Sequence, residues 1–288
     1  MSWMTSQKLG ILPEHYPQPI KVQKVEQKQE LESSNVPRAL EKQTPDLTDM
    51  LSGVQNLSCP TQAELEIVKD KVLKKFSDVF NTEGELQAMQ SGEPMKIHLK
   101  EDAVPFQVTA ARAIPFAHRE QAKADLDKME AVGAIEKVGD EVSEWCHPMV
   151  LVDKPDGTYR ITTDLTKLNS QVLRQVYPSP SPKDIVNGLD GESKYFSTLD
   201  CVKGYWQVEL EEGSRHLTTF ITPWGRYRYK RCVMGFIGTG DEYNRRGDII
   251  LGNVQGLKKL VDDILLHHTT FAEHVRTLVE VLHRCRQH

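Results

Sequence analysis

The pattern of apolar and polar positions changes character near residue 60. Before it no apolar period persists, because Pro13, Pro17, Pro19, Pro37 and Pro45 interrupt the chain and Gln and Glu are frequent. Such a segment buries too little surface to offset its ordering entropy, so 1–60 reads as a disordered linker. Thr61 and Glu64 then make a capping-box pair, and Leu65, Val68, Val72, Phe76 and Phe80 recur at helical spacing. This pattern predicts an amphipathic helix. Residues 81–110 read as irregular or extended, with Ile97 and Leu99 alternating. A second helix is predicted from about His118 to Val132, with Leu126, Met129 and Val132 on one face and Gly133 suited to its C-terminal cap.

From there the period shortens. Pro148–Val152 is a β-type run, Lys154–Thr158 a turn, and Tyr159–Thr163 the returning strand of a hairpin. Three prolines place 176–184 in a loop. Tyr195–Leu199 predicts a strand that ends at Asp200, and Trp206–Leu210, Thr218–Thr222 and Arg226–Lys230 predict three more. Pro223-Trp224-Gly225 turns between the last two. Helix is expected from Asp241 to Leu251. Lys258–Val261 and Ile264–His267 read as strands joined directly by Asp262-Asp263, and Thr270–Arg286 as a closing helix with Val275, Leu278, Val279 and Leu282 on one face. No internal repeat is visible. The mixture of helices and hairpins indicates an α+β fold.

Composition adds limits. With 288 residues, 39% of them hydrophobic, the chain has enough material for one large domain or two modest ones. No run approaches the roughly eighteen apolar residues of a membrane helix. The first residues lack the apolar core of a signal peptide, so an intracellular location without membrane attachment is expected. The five cysteines are scattered and form no CxxC pair, which indicates neither a disulfide framework nor a zinc ribbon. His267, His268, His274 and His283 with Cys285 fit no zinc-ligand spacing. There is no Walker-type phosphate loop and no Asp-Ser/Thr-Gly protease motif. Net charge is −5, but it is unevenly spread. Residues 1–110 carry 12 Lys and Arg against 16 Asp and Glu, whereas 215–260 carry 9 against 3. The basic stretch is either a phosphate-facing surface or a solvated face.

The carboxylates carry the chemistry. Asp-Asp suits a tight turn by itself. Here, however, Leu260, Val261, Ile264, Leu265 and Leu266 bury both arms of the hairpin and leave two charges at its tip. Charges packed in that way are costly without a compensating cation. Asp200, at a strand end, supplies a third carboxylate. Phosphoryl transfer to a hydroxyl uses two divalent cations roughly 4 Å apart. Mg²⁺ takes few protein carboxylates and completes its shell with water and substrate phosphates.

Five blocks then resemble, in order, the reverse transcriptases of gypsy-like LTR retrotransposons. Ile114-Pro115-Phe116 with His118, Gly133 and Ile135-Glu136 resembles the helix before the fingers hairpin. Val150-Leu151-Val152 with Lys154, Asp156-Gly157, Arg160, Asp164 and Leu168-Asn169 resembles that hairpin. Tyr195–Asp200 followed by Gly204-Tyr205-Trp206-Gln207 resembles the first catalytic motif, Met234-Gly235-Phe236 the template grip, and Leu260–Leu265 the Tyr-x-Asp-Asp hairpin. Leu9–Pro13 is similar to the linker these elements place between protease and polymerase.

The resemblance implies a right-hand polymerase with fingers and palm subdomains. A disordered linker over 1–60 and an N-terminal extension over 61–110 with one amphipathic helix would precede a fingers-and-palm domain over 111–288. Fingers would take about 111–176 and 208–233, and palm about 177–207 and 234–288. The implied activity is RNA-directed DNA polymerisation from deoxynucleoside triphosphates on a template–primer. Asp200 and Asp262 would hold two Mg²⁺, for which Mn²⁺ can substitute, and Asp263 would support one of them. Lys154 and Arg160 would grip the triphosphate, Tyr205 would pack under the sugar and exclude a 2′-hydroxyl, and Gly235 would let the backbone approach the template–nucleotide pair. Arg245 and Arg246 would contact nucleic acid or be solvated. Leu260 departs from the family's aromatic residue, and Val233 from its proline. The family's polymerases continue into a thumb, a connection and RNase H, whereas this sequence stops about 25 residues after Asp263. The alternative is therefore an inactive or domesticated fragment that binds nucleic acid or protein. A ribonuclease H assignment by family inheritance is a third reading, which no carboxylate set in the chain supports.

Overall fold

Apolar alternation and helical spacing resolve into two sheets with helices packed on them. The computed structural model describes residues 47–80, 86–154, 157–189 and 191–288. Its helices are α1 (Thr48–Leu51), α2 (Gln62–Lys75), α3 (Phe116–Ala131), α4 (Thr166–Asn169), α5 (Pro182–Asn187), α6 (Glu212–Arg215), α7 (Ile237–Leu251) and α8 (Phe271–Gln287). Its strands are β1 (Ile135–Val138), β2 (His147–Asp153), β3 (Tyr159–Thr163), β4 (Tyr195–Asp200), β5 (Phe220–Thr222), β6 (Gly225–Tyr229), β7 (Leu257–Leu260) and β8 (Asp263–His268).

Five strands form one sheet in the order β1-β6-β5-β2-β3, antiparallel except for the β2–β5 pair. Period-two alternation in β6 turns Tyr227 and Tyr229 into the core, each 1% exposed, and leaves Arg226 and Arg228 on the opposite face. Leu126 and Met129 of α3 pack with them, together with Ile135, Met149 and Phe220. The Tyr229 hydroxyl meets Thr163 Oγ1 at 3.2 Å, and burial pushes the phenol up to about 12.

β4, β8 and β7 form a second, antiparallel sheet. Ile264 and Leu266 of β8 pack against Ile250 and Leu251 of α7 and Val281 of α8. On its other flank α8 meets α1 and α2, where Met50, Val68, Val72 and Phe76 bury against Phe271, Val275, Val279 and Leu282. Thr61 and Glu64 form the expected capping box at the start of α2.

The extended stretch 86–110 is a strap bonded to segments that lie outside both sheets. Met89 and Met95 N–H donate to the Gln207 and Glu209 carbonyls at 2.7 and 2.8 Å. Further along, Lys100 N–H donates to Gln171 O, and Leu173 N–H to His98 O. Arg246, only 2% exposed, anchors the strap by donating to the carbonyls of Ser91 and Glu93.

Several expectations shift. Residues 1–46 of the expected linker lie outside the described residues, but 47–60 is structured, with Met50 of α1 buried. The loop expected over 176–184 runs into α5, whose capping box is Ser181 with Asp184 and whose first residue is Pro182. The strand expected at Trp206–Leu210 is instead a 3₁₀ turn, Gly204–Gln207, followed by isolated bridges at Glu209 and Leu210. The loop of the Asp-Asp hairpin is Val261-Asp262, one residue earlier than expected. Leu260 pairs with Asp263, which begins β8.

Candidate active site

β-ladder register gathers the acidic residues. Asp200, the last residue of β4, stands opposite Asp263, the first of β8. Asp262 occupies the turn next to them, and its carbonyl accepts from the Cys201 N–H at 2.9 Å. Asp200 and Asp263 are exposed, whereas Asp262 is half-buried. Its Oδ1 is buried without a hydrogen-bond partner. Burial, then the Asp200 charge, then the Asp263 charge raise the Asp262 carboxyl above the usual range. Among the described residues, no three His, Cys, Asp or Glu side chains converge into a metal-holding group. The ladder thus makes the three aspartates neighbours without bringing their side chains together as a closed cage. Mutual repulsion of bare carboxylates opposes such closure.

The backbone around them is unusual. Lys203 at φ 51° and Val261 at φ 55° are the non-glycine residues of positive φ among those described. One follows Asp200 by three residues and the other precedes Asp262. A β-branched residue in that region is strained by about 1–3 kcal/mol, and such strain clusters at functional sites. Gly204 is a contact point for three groups. A Cβ there would collide with Asp262 Oδ1 and lie 2.7 Å from Tyr243 Oη. The Tyr243 hydroxyl also hydrogen-bonds the Cys201 thiol.

A cavity of about 510 Å³ opens beside Asp262. Gly204, Tyr205 and Asp262 line one side of it, and Lys154 and Arg160 of the β2–β3 hairpin also contribute. The structure therefore brings the expected Lys154, Arg160, Tyr205 and Asp262 to one space. Asp200, Asp263 and Gly235 stand outside its lining. Tyr205 is half-buried, and burial followed by the Asp262 charge raises its phenol. Gly235 has φ 95°, and its carbonyl accepts from Asn169 Nδ2 at 2.8 Å. Asn169 Oδ1 in turn accepts from the Ile237 N–H at 3.0 Å, which ties Gly235 to the start of α7. Asp156, in the expected hairpin turn, lies outside the described residues.

Sequence reasoning assigned no role to Gly204, Asn169 or Tyr243. The first two stand inside the quoted motifs, so a signal existed. Tyr243 had none. The basic stretch 215–260 also reads differently in three dimensions. Six of its nine cations are ion-paired inside the molecule: Arg215 and Arg228 with Glu136, Arg231 with Glu209, Arg245 and Arg246 with Glu242, and Lys259 with Asp248. Arg246 is neither solvated nor available to nucleic acid, because the strap consumes its donors.

Comparison with known proteins bears on this arrangement. Residues 152–288 match the family described as reverse transcriptase (RNA-dependent DNA polymerase). These residues belong to the reverse transcriptase family. The chain is 26% identical over 227 residues to the retrovirus-related Pol polyprotein from transposon 412 of Drosophila melanogaster, covering 76% of this chain and 18% of the relative. To the corresponding polyprotein from transposon gypsy of the same fly it is 33% identical over 125 residues, covering 43% and 12%. The chain thus spans about a fifth of the length of the first of these relatives. Among solved structures, the prototype foamy virus protease–reverse transcriptase superposes with a TM-score of 0.69 at 20% identity, over 85% of this chain and 32% of that one. The foamy viral enzyme in complex with an RNA/DNA hybrid gives 0.68 at 21%, over 87% and 33%. The fold is that of the viral reverse transcriptases, and the reverse transcriptase domain holds Asp200, Asp262 and Asp263.

Proposed function

We propose that the chain is the fingers-and-palm part of an RNA-directed DNA polymerase, extending a primer 3′-hydroxyl from deoxynucleoside triphosphates on a nucleic acid template. The five-stranded sheet with α3 would be the fingers, and the three-stranded sheet with α7 and α8 the palm. One observation carries the reading: an unpartnered, buried Asp262 Oδ1 beside a cavity that Lys154 and Arg160 also line. Two bare cationic side chains and a carboxylate facing one space suit a triphosphate that arrives with its counterions.

Asp200, Asp262 and Asp263 fit two Mg²⁺, or Mn²⁺ in their place, because the orphaned oxygen and its two charged neighbours await positive charge. Bound there, divalent cations supply activation of the primer hydroxyl and charge neutralisation at the leaving oxygens. The chain's own groups do the positioning. Lys154 meets the phosphates as a point charge and Arg160 as a planar fork. Tyr205 packs under the sugar, where a 2′-hydroxyl would meet its ring. Gly235, without a Cβ and held by Asn169, gives the template–nucleotide pair a close approach. The 3′-hydroxyl gives up its proton to solvent, its oxygen forms a bond to the α-phosphorus, the bond from that phosphorus to the β-phosphate oxygen breaks, and pyrophosphate leaves. Alignment and preorganised charge provide most of the acceleration. A foamy viral relative has been captured on an RNA/DNA hybrid, which supports a template–primer as the partner.

Primer extension with Mg²⁺ tests the reading. Intact protein should extend a primer, and Asp200→Asn or Asp262→Asn should lower extension by at least about a thousandfold. Intact protein that extends nothing, and is indistinguishable from Asp200→Asn, would instead leave a nucleic-acid- or protein-binding module.

A further inference from the structure

We infer that Tyr243 is a positioning residue for sugar selection, setting how far the Tyr205 ring projects into the cavity. The inference rests on the polymerase reading above.

Tyr205 is held from one side by a single face of α7. Gly240 and Tyr243 lie three residues apart on that helix, so they share a face. Tyr243 is 2% exposed, and its ring meets Tyr205 edge-on, with centroids 5.6 Å apart at 79°. Gly240 lies under the far end of the Tyr205 side chain, where a Cβ would sit 3.7 Å from Tyr205 Oη. The helix therefore cradles Tyr205, with a ring against its ring and a glycine beneath its hydroxyl. Tyr243 is itself fixed, because its hydroxyl bonds Cys201 and abuts Gly204. Cys201 and Gly204 belong to the segment that connects Asp200 to Tyr205. One buried side chain thus braces both ends of that segment.

The two parts of Tyr243 do different things. Its ring supports Tyr205, and its hydroxyl ties the turn after Asp200. Without the ring, Tyr205 settles back toward α7 and the space under the sugar widens. A 2′-hydroxyl then fits.

The test measures kcat/KM for a deoxynucleotide and for the matching ribonucleotide in primer extension. Tyr243→Leu should lower the deoxy-to-ribo ratio on the order of tenfold, the worth of one buried aromatic pair. Deoxynucleotide use should change less than ribonucleotide use. Tyr243→Phe should keep the ratio of the unaltered protein, because it keeps the ring. In a Tyr205→Ala background, Tyr243→Leu should add no further loss of selectivity. If Tyr243→Leu fails to fold, Tyr243→Met serves, since its unbranched, flexible side chain adapts to the vacated space. A folded Tyr243→Leu or Tyr243→Met with an unchanged ratio overturns the inference while leaving the polymerase reading intact. So does an additive loss in the Tyr205→Ala background. Unaltered protein that extends no primer removes the polymerase reading, and this inference with it.

Discussion

Gly204 shows how narrowly single residues define the site. It begins the 3₁₀ turn without a positive φ, and what it lacks is room. A methyl group at this position would strike Asp262 Oδ1 and crowd Tyr243 Oη. One of the two must then move, and neither is a loose surface chain. Gly204→Ala should cost about 1–3 kcal/mol of stability, as overpacking does, and should depress primer extension far more than its effect on melting explains. Extension and thermal melting on the same preparation check this, and full activity at lowered stability would show that Asp262 tolerates displacement. The sequence made Asp200, Asp262 and Asp263 legible because strand ends and apolar flanks mark them. It gave no hint that Val261 rather than Asp263 completes the turn. A β-branched residue at φ 55° runs against every turn preference, and only the paired strands on both sides impose it.

At the scale of elements, the N-terminal helix pair is integral to the core built on α8. Phe76, the C-terminal cap of α2, is fully buried, meets the His283 ring edge-on at 5.0 Å and lies under the Arg286 guanidinium at 4.6 Å. Arg286 also pairs with Asp78, but that carboxylate is largely exposed. Packing should therefore outweigh charge. Phe76→Ala should destabilise the fold by about 3–5 kcal/mol, whereas Asp78→Ala should cost far less, because solvent screens its exposed pair with Arg286. Urea denaturation of both variants checks the ordering, and equal costs would contradict it. The same element was legible from its capping box and apolar face, and so were the β2–β3 hairpin, α3, α7 and α8. The segment after Asp200 was not. Trp206, Val208 and Leu210 alternate like a strand, yet Lys203 in left-handed geometry starts a 3₁₀ turn there. Arg246 misled in the same way: a helix sequence does not reveal that a strap of carbonyls passes over one of its arginines.

The whole molecule adds what no local pattern contains, namely which distant groups end up bonded. A chain of polar side chains links β4, β8 and α8. Ser197 Oγ meets His274 Nε2 at 2.7 Å, His274 Nδ1 meets His268 Nδ1 at 3.2 Å, and His268 Nε2 meets Thr277 Oγ1 at 2.9 Å. Between two facing Nδ1 atoms only one proton fits, so the chain is complete when both rings are neutral. A second proton would set two donors against each other. His267 and Glu273 are the other titratable neighbours of His268. Burial, followed by the His268 charge, lowers His274 to about 4. The sign follows from linkage. Between the ordinary imidazole value near 6.5 and about 4, the unfolded chain takes up a proton that folded His274 refuses. The contribution is thus fully present above pH 6.5 and is lost as pH falls through that window. From pH 7 to pH 5 the loss should be about 2 kcal/mol. His274→Gln, which keeps a donor for Ser197 but does not titrate, should be less stable at pH 7 and lose correspondingly less over the same interval. The difference between the two proteins isolates the histidine from the carboxylates that titrate in both. Parallel stability–pH curves for the two would mean that the network does not respond to acid.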